Sequence, residues 1–255
     1  PLRHAAAQAT DVTDNYVPPH TLNLNLTQLS NNVFHPTLPH HNSTLDLTRK
    51  TALILGGTQG IGKAIAARLA ALGTSISIAG RNEAAGAAVI AELETVSPPA
   101  TKARFAFHKV DVSLMSEIRS KVSRFGGFEL KTSYSVINAV FRDSAYNDLA
   151  TKVFTSRYAA DGIAFHYLYP GQVTTNALNN LPWYLRYPVQ AIVSFSVKPE
   201  DYADVPIYAA TAPEFSVSGR LLNQRLEDVK STEFLNDPQN GKRLWKYSVE
   251  RAGLA

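Results

Sequence analysis

The chain has 255 residues, 45% hydrophobic and 18% charged, a balance that suits a globular protein able to bury a sizeable core. Its apolar runs are short, broken by Arg68 in the alanine-rich stretch and by Ser194 and Ser196 between Val189 and Val197, so no run reaches the roughly 18 apolar residues of a membrane span. Cysteine is absent and the net charge is only +4; disulfides, thiolate metal sites and thiol catalysis are excluded, a reducing, cytoplasmic setting is expected, and nothing argues for nucleic acid.

Residues 1–47 differ in character from the rest. They are rich in Asn, Thr, Pro and His, and Arg3 is the only Lys or Arg before Arg49. No basic stretch leads into an apolar one, so no secretory leader is expected, and Asp11 and Asp14 argue against a transit peptide. His35, His40 and His41 lack the accompanying carboxylates of a metal site, and a solvated polar loop is the expected reading, with no metal. Asn25-Leu-Thr27 and Asn42-Ser-Thr44 match the glycosylation sequon, which carries no meaning in a cytosolic chain. This segment is expected to be an irregular N-terminal extension, with one domain covering residues 48–255.

From Arg49 the pattern becomes regular. Thr51 to Leu55 is a short apolar run, followed by Gly56-Gly-Thr-Gln-Gly-Ile-Gly62. Ile61, Ile65, Leu69 and Leu72 then recur at helical spacing until Gly73 ends the helix. Ser75 to Ala79 alternates like a strand, Glu83 to Thr95 reads as an alanine-rich helix stopped by Pro98-Pro99, and Arg104 to Val110 is a third strand. Ser113 can cap a helix carrying Leu114, Ile118 and Val122 on one face. The order β-α-β-α-β-α defines an α/β chain, the first half of a doubly wound parallel sheet.

A glycine turn between a strand and a helix can hold a dinucleotide. The first glycine turns the chain, the middle one lets backbone approach a pyrophosphate, and the last lets the helix pack on the strand. The helix N-terminus adds free N–H groups and a positive dipole end. Here the glycines are Gly56, Gly60 and Gly62, in G-x-x-x-G-x-G spacing. That spacing resembles the short-chain dehydrogenase/reductase family, whose fold is Rossmann-like. The resemblance implies a cofactor site at Gly56, Thr58, Gln59, Gly60, Ile61 and Gly62. It extends to Asp111-Val112, where the family sets an Asp-Val pair against adenine, and to Pro170-Gly171 with Thr175, which close over the nicotinamide end. NAD-binding members carry a carboxylate at the end of the second strand; here Ala79-Gly-Arg-Asn82 offers Arg81, beside Asn82, and a guanidinium pairs bidentately with a 2′-phosphate. NADP is therefore expected over NAD.

The resemblance then breaks. Asp111 and Pro170 are 59 residues apart, too few for two βα units of about 30 residues each besides the flanking elements. The sheet is thus expected to be truncated in the middle, leaving the first strand with an open edge or paired with the Ile163–Leu168 strand. Glu129 to Ala150 looks like the catalytic-tyrosine helix of divergent, largely fungal members, which makes Tyr134 the proton donor or acceptor. Asn138 stands where the family has Lys, Tyr146 is the rival tyrosine, and the catalytic Ser has no counterpart. A second alignment reads Val136-Ile-Asn-Ala139 as the end of a fourth strand.

The apolar, aromatic stretch from Leu178 to Val197 could be plain core, cover an apolar substrate, sit on a membrane surface, or form a contact between like subunits. Pro199 suits a helix start, Ser218 to Leu222 resembles the family's last strand, and Leu244 to Val249 lies on a terminal helix. The function implied is NADP-dependent hydride transfer to or from a small carbonyl or alcohol substrate. The alternatives are an inactive nucleotide-binding relative and a poorly folding truncated form.

Overall fold

A computed structural model describes residues 38–110, 136–171, 173 and 197–252. Two parallel sheets organise these residues. The first contains β1 (Thr51–Leu55), β2 (Ser75–Gly80) and β3 (Phe105–Lys109), with β2 in the middle. The crossovers are α2 (Gly60–Ala71) and α3 (Glu83–Val96), as strand–helix alternation requires of parallel neighbours. The second pairs β4 (His166–Leu168) with β5 (Arg220–Leu222).

The helices α2 and α3 cover one face of the first sheet. Ala66, Ala70, Ile76, Ile78, Val89 and Leu93 are buried there, with Ile54, Phe105 and Phe107 partly so. The fully buried positions of α2 are alanines rather than the isoleucine and leucine row expected from spacing; small side chains let the helix axis approach the strands, while Ile61 reaches beyond the sheet. Gly73 ends α2 in a left-handed conformation (φ +86°), donating to the Ala70 carbonyl at 2.9 Å, as a C-cap glycine does. On the opposite face Leu53 and Leu55 stay 67% and 65% exposed. Among the described residues β1 pairs with β2 alone, and β4 pairs with β5 rather than with β1.

The second sheet is covered on both faces. Leu222 and Leu168 face a cluster with Tyr202, Val205, Tyr208 and Phe215, contributed largely by α5 (Pro199–Tyr202) and α6 (Asp204–Thr211). Leu221 and Tyr167 face Ala145, Leu149, Phe234 and Leu244. Those come from α4 (Val136–Tyr158), α7 (Glu233–Asn236) and α8 (Pro238–Ala252). Pro199 sits at the start of α5, as read from the sequence. The strand expected from Ile163 is shorter: Gly162 is left-handed (φ +68°), Ile163 is 49% exposed, and ladder pairing begins at His166.

The halves meet through α2. Ile61 joins the Leu168–Leu222 cluster, and the Arg68 guanidinium donates to the Asp204 carboxylate at 2.7 Å. Residues 38–44, expected as polar loop, form helix α1 (Leu38–Thr44). Leu38 is buried in the same cluster, the Asn42 amide donates to the Asp204 carboxylate and carbonyl, and His41 contacts the Thr211 hydroxyl and the edge of Tyr208. Partners elsewhere in the chain, invisible to local composition, order this helix.

Candidate functional site

The carboxyl ends of β1 and β2 lie side by side, the Gly56 N–H donating to the Ala79 carbonyl at 2.9 Å. Gly56 and Gly60 have φ of +80° and +56°, conformations that cost a side-chain-bearing residue strain. A Cβ on Gly62 would lie 2.6 Å from the Gly56 carbonyl oxygen, so this glycine is what allows α2 to start against the turn. At the helix start Gln59 is extended and makes no side-chain cap, and no acid occupies the first turn. The first-turn N–H groups and the positive helix end are thus left for an anion. Space beside Gly56 is open to 4 Å around an added Cβ. These features fit a dinucleotide pyrophosphate held by Gly56, Thr58, Gln59, Gly60, Ile61 and Gly62.

Arg81 and Asn82 follow β2. Gly80 abuts Thr58 of the turn, a Cβ there lying 3.3 Å from its methyl, so Arg81 emerges next to the turn. Arg81 is exposed, and the nearby acid Glu83 is engaged with Lys109 at 3.0 Å. The Asn82 side chain caps α3, accepting from the Ala85 N–H at 3.0 Å; that use is structural and follows from an Asn directly before a helix.

Pro170-Gly171 follows β4, where Tyr169 N–H donates to the Leu222 carbonyl at 2.8 Å and Gly171 has φ +67°. Ile61, Leu168 and Val173 share one cluster, so the structure brings the glycine-turn helix and the strand leading to Pro170 together. Asp111, Val112, Tyr134 and Thr175, and most of the stretch from Leu178 to Val197, lie outside the described residues. Asn138 is on α4, and Val136 to Ala139 are helical; the fourth-strand alignment is corrected, the chain there running straight into a helix that continues to Tyr158.

Tyr146 packs on Phe234 (ring centroids 6.5 Å apart) on the side of the second sheet away from Ile61. Lys152 donates to Ser231 at 2.5 Å and Asn236 at 2.9 Å. Burial lowers its pKa, opposed by the negative charge of Asp148. A polar group missed in the sequence stands on the same helix: Ser144 hydrogen-bonds Tyr167, and Asp148 is fully buried beside them. Burial raises the Tyr167 pKa above its usual value; the Ser144 bond opposes that and the Asp148 charge adds to it. The 144, 148, 152 spacing of Ser, Asp and Lys, one turn apart each time, was the available signal.

The family model described as short chain dehydrogenase matches residues 50–126. A 3beta-hydroxysteroid dehydrogenase of Mediterraneibacter gnavus is 38% identical over 82 residues, 29% of this chain. The matched stretch spans 28% of that relative's length. Among solved structures, a short-chain type dehydrogenase/reductase from Mycobacterium ulcerans superposes with a TM-score of 0.50 at 17% identity, over 79% of this chain and 99% of that one. The 3-oxoacyl-[acyl-carrier protein] reductase from Brucella melitensis gives 0.51 at 15% identity, over 70% and 90%. These likenesses show a Rossmann-type α/β fold. The sequence match to the short-chain dehydrogenase family falls on the glycine-turn half, residues 50–126, and the rest of the described chain resembles these proteins in fold. The family uses a nicotinamide dinucleotide. Among the described residues no helix is long and apolar enough to cross a membrane.

Proposed function

We propose that the protein is an NADP-dependent oxidoreductase acting on a small carbonyl or alcohol substrate. The observation that carries this reading is the uncapped start of α2 above Gly56, Gly60 and Gly62, with Arg81 beside it and no acid at the end of β2. The helix N-terminus and turn bind the pyrophosphate, and Arg81 pairs with the 2′-phosphate. The bound nicotinamide supplies or accepts the hydride. Tyr134 gives or takes the proton at the substrate oxygen, with Asn138 one helical turn on holding the ribose by hydrogen bonds in place of the family's Lys. Asp111-Val112 lines the adenine end, and Pro170-Gly171 with Thr175 closes the nicotinamide end. The aromatic stretch between Leu178 and Val197 suits an apolar substrate or a contact between like subunits, and a cysteine-free chain suits the cytoplasm.

A fluorescence titration with NADPH and NADH tests the reading. Saturable binding favouring NADPH by about tenfold or more, with the preference lost in Arg81→Ala, is expected from the loss of a charge-assisted contact. Binding of neither nucleotide overturns it. Tyr134→Phe should abolish turnover and leave NADPH binding intact.

A second reading, nucleotide binding without turnover, is favoured by the commitments of Lys152 to Ser231 and Asn236 and of Tyr146 to Phe234. It predicts the same titration and no oxidation or reduction across a carbonyl panel.

A further inference from the structure

On the side of the second sheet away from Ile61, α4, α7 and α8 flank a cavity of about 330 Å³, at the small end of the range for ligand pockets. Its floor is apolar: Leu149 and Val153 of α4, Leu235 of α7 and the indole of Trp245 on α8. The helices α4 and α8 come close there because residue 241 is glycine, where a Cβ would lie 3.1 Å from the Val153 Cγ2. The rim is charged. The partly buried Lys152 and the exposed Arg157 and Lys242 line it against the single carboxylate of Asp237. That carboxylate already accepts from the Gln239 N–H at 2.8 Å, at the start of α8.

Two of the three cations are positioned by neutral partners. Lys152 donates to Ser231 at 2.5 Å and to Asn236 at 2.9 Å, and an ammonium has a third N–H to give. Asp148, whose charge supports Lys152, is fully buried and does not line the cavity. Arg157 lies over the Trp245 ring, its Cζ 3.7 Å from the centroid, and a stacked guanidinium keeps its N–H edge for an anion. Phe154 holds the indole edge-on from another side, the ring centroids 6.0 Å apart. The ion pairs among the described residues engage Lys63, Arg68, Lys109, Arg220 and Lys246, and none of the three cations here. Cations that outnumber acids over an apolar floor are complementary to a molecule of opposite charge with an apolar body.

We propose that this cavity binds a small organic anion with a flat apolar body, of the aromatic carboxylate class. The carboxylate pairs with Lys152, Lys242 and the guanidinium edge of Arg157, and the ring lies beside Trp245 over Leu149 and Val153. The glycine turn and Ile61 stand on the other side of the second sheet, so this site is independent of nucleotide binding and of the activity proposed above.

The test uses the full chain carrying Trp183→Phe, in which Trp245 is the sole tryptophan, and 3-phenylpropionate as the probe. A saturable change in Trp245 fluorescence with a Kd below about 1 mM is expected, and the neutral 3-phenylpropanamide should bind at least about tenfold more weakly. Inorganic phosphate, which has no apolar body, should also be at least about tenfold weaker. Arg157→Gln and Lys242→Gln change exposed side chains, so the fold is retained. Each should weaken phenylpropionate about five- to tenfold and leave the amide unaffected. No saturable change up to about 10 mM overturns the proposal. Equal binding of acid and amide, binding untouched by both substitutions, or phosphate as tight as phenylpropionate overturns it as well. A chain that binds phenylpropionate as expected but neither NADPH nor NADH would support this site and overturn the NADP reading alone.

Discussion

The two sheets solve burial differently. The first has three strands of five or six residues with helices on one face, and it leaves Leu53 and Leu55 more than 60% exposed on the other. The second has two strands of three residues, yet Leu222 is fully buried and Leu221 is 5% exposed, because helices cover both sides. A longer ladder supports the first sheet where Leu53 and Leu55 are exposed, whereas the second depends on the layers around it. The difference matters for the site, since the glycine turn and Arg81 belong to the first sheet and Pro170-Gly171 to the second. A working site needs the two held in fixed relation, and the described structure assigns that task to α2, through Ile61 and Arg68.

The largest expected effects test whether the halves fold as one unit. Ile78 and Leu222 have no exposed surface, and either change to Ala should cost about 3–4 kcal/mol. In a Trp183→Phe background the remaining tryptophan is Trp245, which lies under the Arg157 guanidinium at 3.7 Å and edge-on to Phe154 in the second half. Ile78→Ala should shift the Trp245 unfolding transition as far as it shifts the circular dichroism signal. If the fluorescence transition stays put, the halves unfold separately and the comparison becomes one between two autonomous bodies.

Gly62→Ala comes next. Its Cβ meets the Gly56 carbonyl at 2.6 Å, and that oxygen is backbone rather than the end of a flexible side chain. A loss of about 2 kcal/mol by urea denaturation is expected, together with loss of NADPH binding. Tight binding by a destabilised Gly62→Ala would show that the turn relaxes without cost to the nucleotide.

The first half was legible in the sequence almost strand by strand. Thr51–Leu55 was read with the observed bounds and Glu83–Thr95 within one residue, because each element carries its own period and is bounded by glycine or proline. In the second half Pro199, the 218–222 strand and the terminal helix were legible, and the strand before Pro170 was read three residues too long. A three-residue strand such as β4 has too few positions to show alternation, and its limits are set by Gly162 and by pairing with β5, a partner some 50 residues away. The glycine turn, Arg81 and Pro170-Gly171 could be singled out as candidates from local pattern. The Asn42–Asp204–Arg68 junction could not, since its members are separated by 136 and 162 positions and none belongs to a motif.

That junction gives the third test. The Asp204 carboxylate accepts from Arg68 at 2.7 Å and from the fully buried Asn42 amide at 3.0 Å. Asp204→Ala should cost about 2 kcal/mol, because it leaves one of the two buried Asn42 amide hydrogens without an acceptor as well as breaking an ion pair. Arg68→Ala should cost about half as much, since both Asn42 amide hydrogens keep their acceptors on Asp204. Equal costs would mean that the ion pair, not the Asn42 contact, fastens α1 and α2 to the second half.

The smallest effect concerns pH and arises from the double covering of the second sheet. His166 begins β4, and its Nε2–H donates to the Phe215 carbonyl at 2.9 Å, which fixes the tautomer and leaves Nδ1 bare. Nδ1 is buried, and among the described residues no acceptor stands within hydrogen-bond reach of it. Charging the ring would create a buried N–H with nowhere to donate. Burial accordingly lowers the His166 pKa; the Phe215 bond opposes the shift, the Arg220 charge adds to it, and Asp228 opposes it. The unfolded chain, with an ordinary value near ~6.5, takes up the proton first. Neutral His166 therefore contributes stability that is fully present above about pH 6.5 and is lost as the pH falls from there to the depressed native value. His166→Gln can retain the donation to Phe215 and has no proton to gain. Urea midpoints between pH 7.5 and 5.5 should fall less steeply for His166→Gln than for the native chain, and parallel curves would show that β4 opens enough to hydrate the ring.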